Sequence, residues 1–263
     1  DLGNDFFQQW LDKTMQYSSA HYNSDHKNLE DAQYSKFQNI NNLLGLSKND
    51  SVLEIGCGWG SLSQYLFNEN DINIDAITIS EKQLEYAKKL SLSPKSNSCS
   101  FKLLDYRHTK GLYDKIVSVE MIEAVGIKYL PIYFKTIKNR LKPNGYAIIQ
   151  AITIGEEGFS NYSRNVDFIQ KYIFPGGVLP SVKQLEKETM RNGLEIENIN
   201  ILNDSYEKTL QEWRNKFNNN WVNIKEIGYD EKFKRTWNYY LSYCEAGFAE
   251  KTINVGLYKI KSI

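Results

Sequence analysis

Two hydrophobic rhythms alternate along the chain. Short apolar runs at 52–55, 74–79, 99–104, 113–119 and 145–154 have the length and the flanking turn residues of strands. The last run is apolar almost throughout, as a strand covered on both faces should be. Between the runs, apolar residues recur every three or four positions. Leu62, Tyr65, Leu66 and Phe67 mark one helix, and further helices are expected over 81–90 and 129–141. The latter should stop at the turn Pro143-Asn144-Gly145. Repeats of strand and helix predict an α/β fold with a parallel, doubly wound sheet. Ahead of them lie a short aromatic helix (Phe6, Phe7, Trp10), a loop at 17–20, and a helix over 29–46 with Ala32, Phe37, Ile40, Leu43 and Leu44 on one face. After residue 154 the rhythm changes. Loop and helix rich in Tyr and Phe occupy 155–180. A helix at 181–192 follows, with Ser181 as its cap, then a strand at 194–202, long amphipathic helices at 206–224 and 230–248, and a closing strand at 252–260. The late helices are placed to form a lid over a ligand cleft.

The first strand carries the first chemical signal. Glu54-Ile55-Gly56-Cys57-Gly58-Trp59-Gly60 joins it to a helix. Gly56 and Gly58 let a ligand approach the backbone, and the helix start offers free N–H groups. The spacing is not that of a dinucleotide fold, and no Lys-Ser or Lys-Thr follows, which excludes a P-loop. Glu54 would repel phosphate there but tolerates a cationic or zwitterionic nucleoside, a description that S-adenosylmethionine fits. Composition narrows the classes further. The 263 residues are 41% hydrophobic and 24% charged with no net charge, so bulk electrostatics give no case for nucleic acid. Cys57, Cys99 and Cys244 are scattered, which predicts a reducing, cytoplasmic setting with neither disulfides nor a zinc site. His21, His26 and His108 are too dispersed for a metal cluster. No apolar run reaches the ~18 residues of a membrane span, and no signal peptide is expected. The chain starts at Asp1 without Met and reads as processed or trimmed. Its 18 Tyr, 12 Phe and 5 Trp make either a core rich in rings or a pocket for a long apolar or cationic group.

Further motifs follow in a fixed order: Met15-Gln16-Tyr17-Ser18, Thr78-Ile79-Ser80-Glu81-Lys82-Gln83, Ser118-Val119-Glu120-Met121-Ile122-Glu123-Ala124-Val125-Gly126, Lys171-Tyr172-Ile173-Phe174-Pro175-Gly176-Gly177 and Tyr239-Tyr240-Leu241-Ser242-Tyr243-Cys244-Glu245-Ala246-Gly247-Phe248. With the glycine turn, these resemble the cyclopropane-fatty-acid synthase family over nearly the whole chain. The resemblance implies a Rossmann-like, doubly wound, seven-stranded methyltransferase sheet of mostly parallel strands with a helical lid. It implies one methyltransferase domain over 1–263. Within it, 1–46 would cover the cofactor, 47–154 hold it, 155–250 form the acyl-chain lid with a late strand, and 251–263 give the final strand. The family's N-terminal lipid-contacting domain is not in this chain. The implied reaction transfers a methyl group from S-adenosylmethionine to a double bond in a phospholipid acyl chain and closes a cyclopropane ring. A methyl-branched or methylene product, or methylation of a small amine, is the alternative on the same fold. A lipid-binding protein with a decayed site is the competing non-enzyme. The implied partners are unsaturated phospholipids at the inner face of the membrane, which the protein would meet peripherally; a homodimer is admitted.

The resemblance also assigns residues. Gly56 and Gly58 would pass the methionine part of the cofactor. Thr78, Ser80 and Gln83 would meet the ribose, and Tyr106 the adenine. Tyr17, Ser18, Glu54, Asp105 and Glu120 would complete the cofactor site. A bicarbonate ion would serve as the base, held by Ser19, Glu123, Gln150, the Ile152 backbone and Tyr206. Ser19 and Gln150 replace the family's Cys and His, and Ala124 replaces the His of its Glu-His-Val-Gly motif. Neutral donors should retain an anion less well than a charged imidazole. The acyl channel would draw on Tyr162, Phe168, Tyr172, Phe174, Trp213, Phe217, Tyr240 and Phe248. No metal site is expected.

Overall fold

The β1 strand, Ser51–Ile55, alternates its side chains between two cores: Val52 packs into one cluster and Leu53 into another on the opposite face. Both faces are covered, as the apolar run requires. The computed structural model describes residues 2–23 and 28–263; Asp1 and His26 lie outside the described residues. Helix α1, Asn4–Gln8, and helix α2, Leu29–Leu44, precede β1. The Asn28 side chain caps α2, and Gly45, in the left-handed region at φ 49°, ends it. The core then alternates α3 (Ser61–Glu69), β2 (Asn73–Thr78), α4 (Glu81–Ala87), β3 (Cys99–Leu103), β4 (Tyr113–Val119), α5 (Leu130–Arg140) and β5 (Leu141–Ile154). Next come α6 (Glu156–Tyr162), α7 (Phe168–Tyr172), α8 (Val182–Arg191), β6 (Leu194–Ile201), α9 (Asn203–Asn219), α10 (Trp221–Glu226), α11 (Glu231–Ala249) and β7 (Ile253–Ser262).

The sheet order is β3-β2-β1-β4-β5-β7-β6. Strands β1 to β5 pair in parallel, and β7 enters antiparallel between β5 and β6. Connections leave β1 toward β2 on one side and reach β4 on the other. That reversal opens a crevice beyond the carboxyl ends of β1 and β4, where open α/β sheets bind ligands. One face carries α1, α2, α3 and the late helices, packed through Trp10, Leu62, Trp213 and Trp237; the other carries α5 and α8, packed through Tyr133, Phe134, Ile137 and Leu185. No helix of the described residues is long and apolar enough to cross a membrane.

The Ser181 cap is present, accepting from the Gln184 N–H at 3.2 Å. Three expected boundaries are corrected. Pro143-Asn144-Gly145 is not a turn before β5 but a bulge within it. Leu141 pairs with Tyr113 and Tyr146 with Lys115, so β5 carries extra residues there. Asn144 is left-handed, and a Cβ on Gly145 would lie 2.9 Å from the Asp114 carbonyl. The helix expected over 206–224 is two, broken at Asn220, whose side chain instead donates to the Gln9 carbonyl at 2.7 Å. The helix expected over 81–90 ends at Ala87.

Candidate active site

Two cavities meet beyond the carboxyl ends of β1, β2 and β4. One, of about 520 Å³, is lined by the glycine turn, the ends of β2 and β4, and the 15–18 loop. The other, of about 840 Å³, is largely apolar and is walled by the 154–179 segment and by α11. Tyr17, Glu120 and Ala124 line both, so they stand at the junction.

The glycine turn shapes the smaller cavity. Gly56 and Gly58 have φ of +79° and +53°. The N–H groups of Gly56 and Cys57 donate to the Ile77 carbonyl at 3.0 and 2.9 Å, tying the turn to β2. A Cβ on Gly58 would meet no atom within 4 Å and would project into open space. Glu54 is buried, accepts from the Ser63 hydroxyl, and is pushed up to about 7 by burial. Thr78 donates to the Gln83 side chain at 2.8 Å, and both line this cavity. Ser80 does not; its hydroxyl caps α4 by accepting from the Gln83 N–H at 3.3 Å. Asp105 and Tyr106 line the far side. Arg107 holds Asp105 through a paired contact at 2.9 and 2.6 Å and keeps its carboxyl below the usual range. The Tyr106 ring packs edge-on against Tyr133 at 5.6 Å.

The junction is built on carboxylates. Glu120 directly follows β4 with φ +46°, which is unusual for a residue with a side chain. Its Oε1 accepts from the Ser19 N–H at 2.8 Å and from Gln150 Nε2 at 2.7 Å; its Oε2 accepts from the Tyr206 hydroxyl at 2.6 Å. Glu123 sits on a 3-10 turn, Ile122–Ala124, and its Oε1 accepts from the Ile152 N–H at 2.6 Å. Glu123 Oε2 has no hydrogen-bond partner among the described residues. Burial, with the nearby Glu120 charge, pushes Glu123 up to about 8. The Ser19 hydroxyl donates to the Ala20 carbonyl at 2.9 Å. Ser19, Gln150 and Ile152 line neither cavity. The groups expected around bicarbonate are therefore brought together, but their donors are taken by Glu120 and Glu123.

Tyr17 meets Tyr240, hydroxyl to hydroxyl, at 2.8 Å, and burial raises both phenols. Ser18 is buried and accepts from Lys36 Nζ at 2.7 Å. Lys36 was not expected. It is buried completely, and burial lowers it to about 8 against the pull of Glu120, Asp12 and Glu54. Its signal was present: it stands between Ala32 and Ile40 at four-residue spacing, on the apolar stripe of α2. Of the expected channel residues, Tyr162, Phe174 and Tyr240 line the large cavity. Trp213, Phe217 and Phe248 lie in the closed core behind it, Phe168 packs on Tyr239 at 4.5 Å, and Tyr172 is exposed. Among the described residues, no cluster of His, Cys, Asp and Glu could hold a metal.

The charge state of Glu123 can be tested through stability. Its folded value near 8 exceeds the ordinary 4.5. Between these values the unfolded chain releases the proton while the folded chain keeps it, so stability falls as pH rises and levels off above 8. Glu123→Gln removes that loss. Because water reaches the cavity, the gain expected at pH 9 is about 1–2 kcal/mol rather than the full value of the shift. Thermal melts at pH 5 and pH 9 measure it; an equal gap between variant and parent at both pH values defeats the assignment.

A sequence profile of the family described as mycolic acid cyclopropane synthetase matches residues 1–258. The cyclopropane-fatty-acyl-phospholipid synthase of Escherichia coli (strain K12) is 37% identical over 256 residues, covering 97% of this chain and 64% of that protein. The tuberculostearic acid methyltransferase UfaA1 of Mycobacterium tuberculosis is 36% identical over 264 residues, covering 97% of this chain and 62% of that protein. The chain thus spans less than two thirds of the length of these relatives. The crystal structure of the mycolic acid cyclopropane synthase CmaA1, complexed with SAH and CTAB, superposes with a TM-score of 0.92 at 27% identity, over 99% of this chain and 94% of that one. With a seven-stranded, mostly parallel sheet and a profile match over nearly its whole length, the chain belongs to the mycolic acid cyclopropane synthetase family.

Proposed function

We propose that the chain is an S-adenosylmethionine-dependent methyltransferase that acts on the double bond of an unsaturated phospholipid acyl chain and forms a cyclopropane ring. The observation that carries this is the meeting of a cavity at the glycine turn with a larger and more apolar cavity, at a carboxylate. The residues fit the cofactor: Gly58 leaves space where a side chain would intrude, and Thr78, Gln83, Asp105 and Tyr106 line the same cavity. When bound, S-adenosylmethionine supplies an electrophilic methyl group. Tyr17 and Ser18 close the cofactor side, with Ser18 fixed by Lys36. The apolar walls exclude water and align the acyl chain, which orients the double bond. The Tyr17, Tyr206 and Tyr240 rings, beside the Glu120 carboxylate, offer electron-rich surfaces to a cationic centre. Exposed Tyr172, Phe174, Tyr239 and Tyr243 support a peripheral contact with lipid near the mouth.

The test is incubation with labelled S-adenosylmethionine and vesicles of defined unsaturated phospholipids, followed by lipid mass spectrometry. A gain of one methylene with loss of the olefin is expected; label that stays out of lipid defeats the reading. One observation favours a second reading. The carboxyl-bearing residues lining the large cavity are Glu120, Glu123, Asp167 and Glu250, and among the described residues no Lys or Arg lines it. Such a wall suits an ammonium group, so a long-chain amine belongs in the same assay; N-methylation of it in place of lipid labelling would select that reading.

A further inference from the structure

We propose that the Glu120 carboxylate is the proton acceptor of this reaction, standing where the family resemblance puts a bicarbonate ion. The inference rests on the acyl-chain reading above. It begins with hydrogen-bond donors. The Ser19 N–H, the Gln150 amide and the Tyr206 hydroxyl all point at Glu120, at 2.8, 2.7 and 2.6 Å. The Ile152 N–H points at Glu123, and the Ser19 hydroxyl is turned to the Ala20 carbonyl. The donor set expected to hold an external anion is thus already holding carboxylates of the chain. A second anion would find no free donor in that set and would face the Glu120 charge. Bicarbonate does not fit these residues.

Position supports the same assignment. Glu120 lines both cavities, whereas Glu123 lines only the apolar one. A base that strips a proton from a freshly transferred methyl group must reach the point where donor and acceptor meet. Glu120 is there. Its left-handed backbone, at φ +46°, turns the side chain off the end of β4 into the junction. The charge is also placed correctly. Two neighbouring carboxyls in one buried site do not both ionise readily. Burial raises both carboxyls, but three hydrogen bonds and the buried Lys36 charge oppose this at Glu120, whereas Glu123 accepts one hydrogen bond and is pushed further up by the Glu120 charge. The ionised partner is therefore Glu120.

The step balances without another reactant. The π pair of the double bond bonds the methyl carbon, while the pair of the methyl–sulfur bond stays on sulfur. The neighbouring acyl carbon becomes cationic. A C–H bond of the new methyl group breaks, its pair closes the ring, and the proton passes to a Glu120 oxygen and then to solvent. The positive charge that arrives as sulfonium leaves as that proton.

The test uses the full chain, 13C-bicarbonate and the lipid assay. The parent protein is expected to bind no bicarbonate by NMR and to turn over equally in CO2-stripped buffer and with millimolar bicarbonate. Glu120→Ala frees the donors: it should lose product at least ~100-fold, bind bicarbonate, and regain part of its activity when bicarbonate or formate is added. Glu120→Gln keeps the bulk without the charge; it should fold, bind S-adenosylhomocysteine, lose product and show no rescue. Bicarbonate binding by the parent, loss of turnover on CO2 stripping, or full product from Glu120→Gln each overturn the proposal. A parent that never labels lipid defeats the acyl-chain reading instead, and the bicarbonate titration still decides whether Glu120 holds the anion's place.

Discussion

Trp213→Ala is expected to lower the stability of the protein by about 4 kcal/mol and its melting temperature by about 10 °C. The side chain is fully buried on α9. Its ring packs against Trp10 at 5.7 Å, Tyr17 at 5.3 Å and Tyr206 at 6.1 Å. It joins the N-terminal segment to the late helices, and removing it opens a void that none of these rings can fill. Its indole nitrogen has no hydrogen-bond partner among the described residues, so the loss is one of packing. Trp213→Phe should therefore recover more than half of the stability. Function should follow. Tyr17 and Tyr206 are the neighbours left unsupported, and they hold Tyr240 and Glu120. Turnover should fall further than the affinity for S-adenosylhomocysteine, because the glycine turn is not among Trp213's ring contacts. Thermal denaturation with calorimetry tests both parts; a loss under 1 kcal/mol, or equal loss of turnover and affinity, contradicts the packing argument.

That neighbourhood also shows what could be read from the chain and what could not. The glycine turn was legible because it is local: an apolar run, glycines and a helical stripe lie within sixteen residues of one another. The Ser181 cap was legible for the same reason. By resemblance Trp213 and Phe217 belong to the channel, yet they are core, because a ring at helical spacing looks the same in either place. The break at Asn220 was hidden because apolar positions continue at Trp221 and Ile224 with no glycine or proline between. The Pro143-Asn144-Gly145 bulge carries the residues of a turn, and only pairing with β4 tells the two apart. Glu120 is the sharpest case. In the sequence it reads as a cofactor contact, and Ser19, Gln150 and Tyr206 as ligands of a separate ion. Those three lie 101, 30 and 86 residues from Glu120 in sequence, and nothing local shows that their donors converge on it. Lys36 is different: a charge on an apolar stripe was visible, and it marks the buried carboxylates it faces.

Gly58→Leu is expected to weaken S-adenosylhomocysteine binding by at least ~100-fold, equivalent to about 3 kcal/mol. The reasoning separates it from its neighbour Gly56. A Cβ at Gly58 meets no protein atom within 4 Å, and Gly58 lines the smaller cavity, so added bulk is expected to compete with the ligand rather than with the fold. The left-handed φ of +53° costs the leucine about 1–2 kcal/mol of stability. Gly58→Ala carries nearly the same backbone cost with far less bulk, so the difference between the two variants isolates cavity filling. At Gly56 the added Cβ would lie 2.8 Å from Met121 Cγ and 3.1 Å from Met121 Cβ. Gly56→Ala must push Met121 aside, and Met121 adjoins Glu120 in the chain. Its effect should appear in stability and in turnover, and Met121→Ala should offset part of it in a double-mutant cycle. Equal binding by the Gly58→Ala and Gly58→Leu proteins would mean that the cofactor does not lie against this turn. Additive effects of Gly56→Ala and Met121→Ala would mean that the turn does not position Glu120 through Met121.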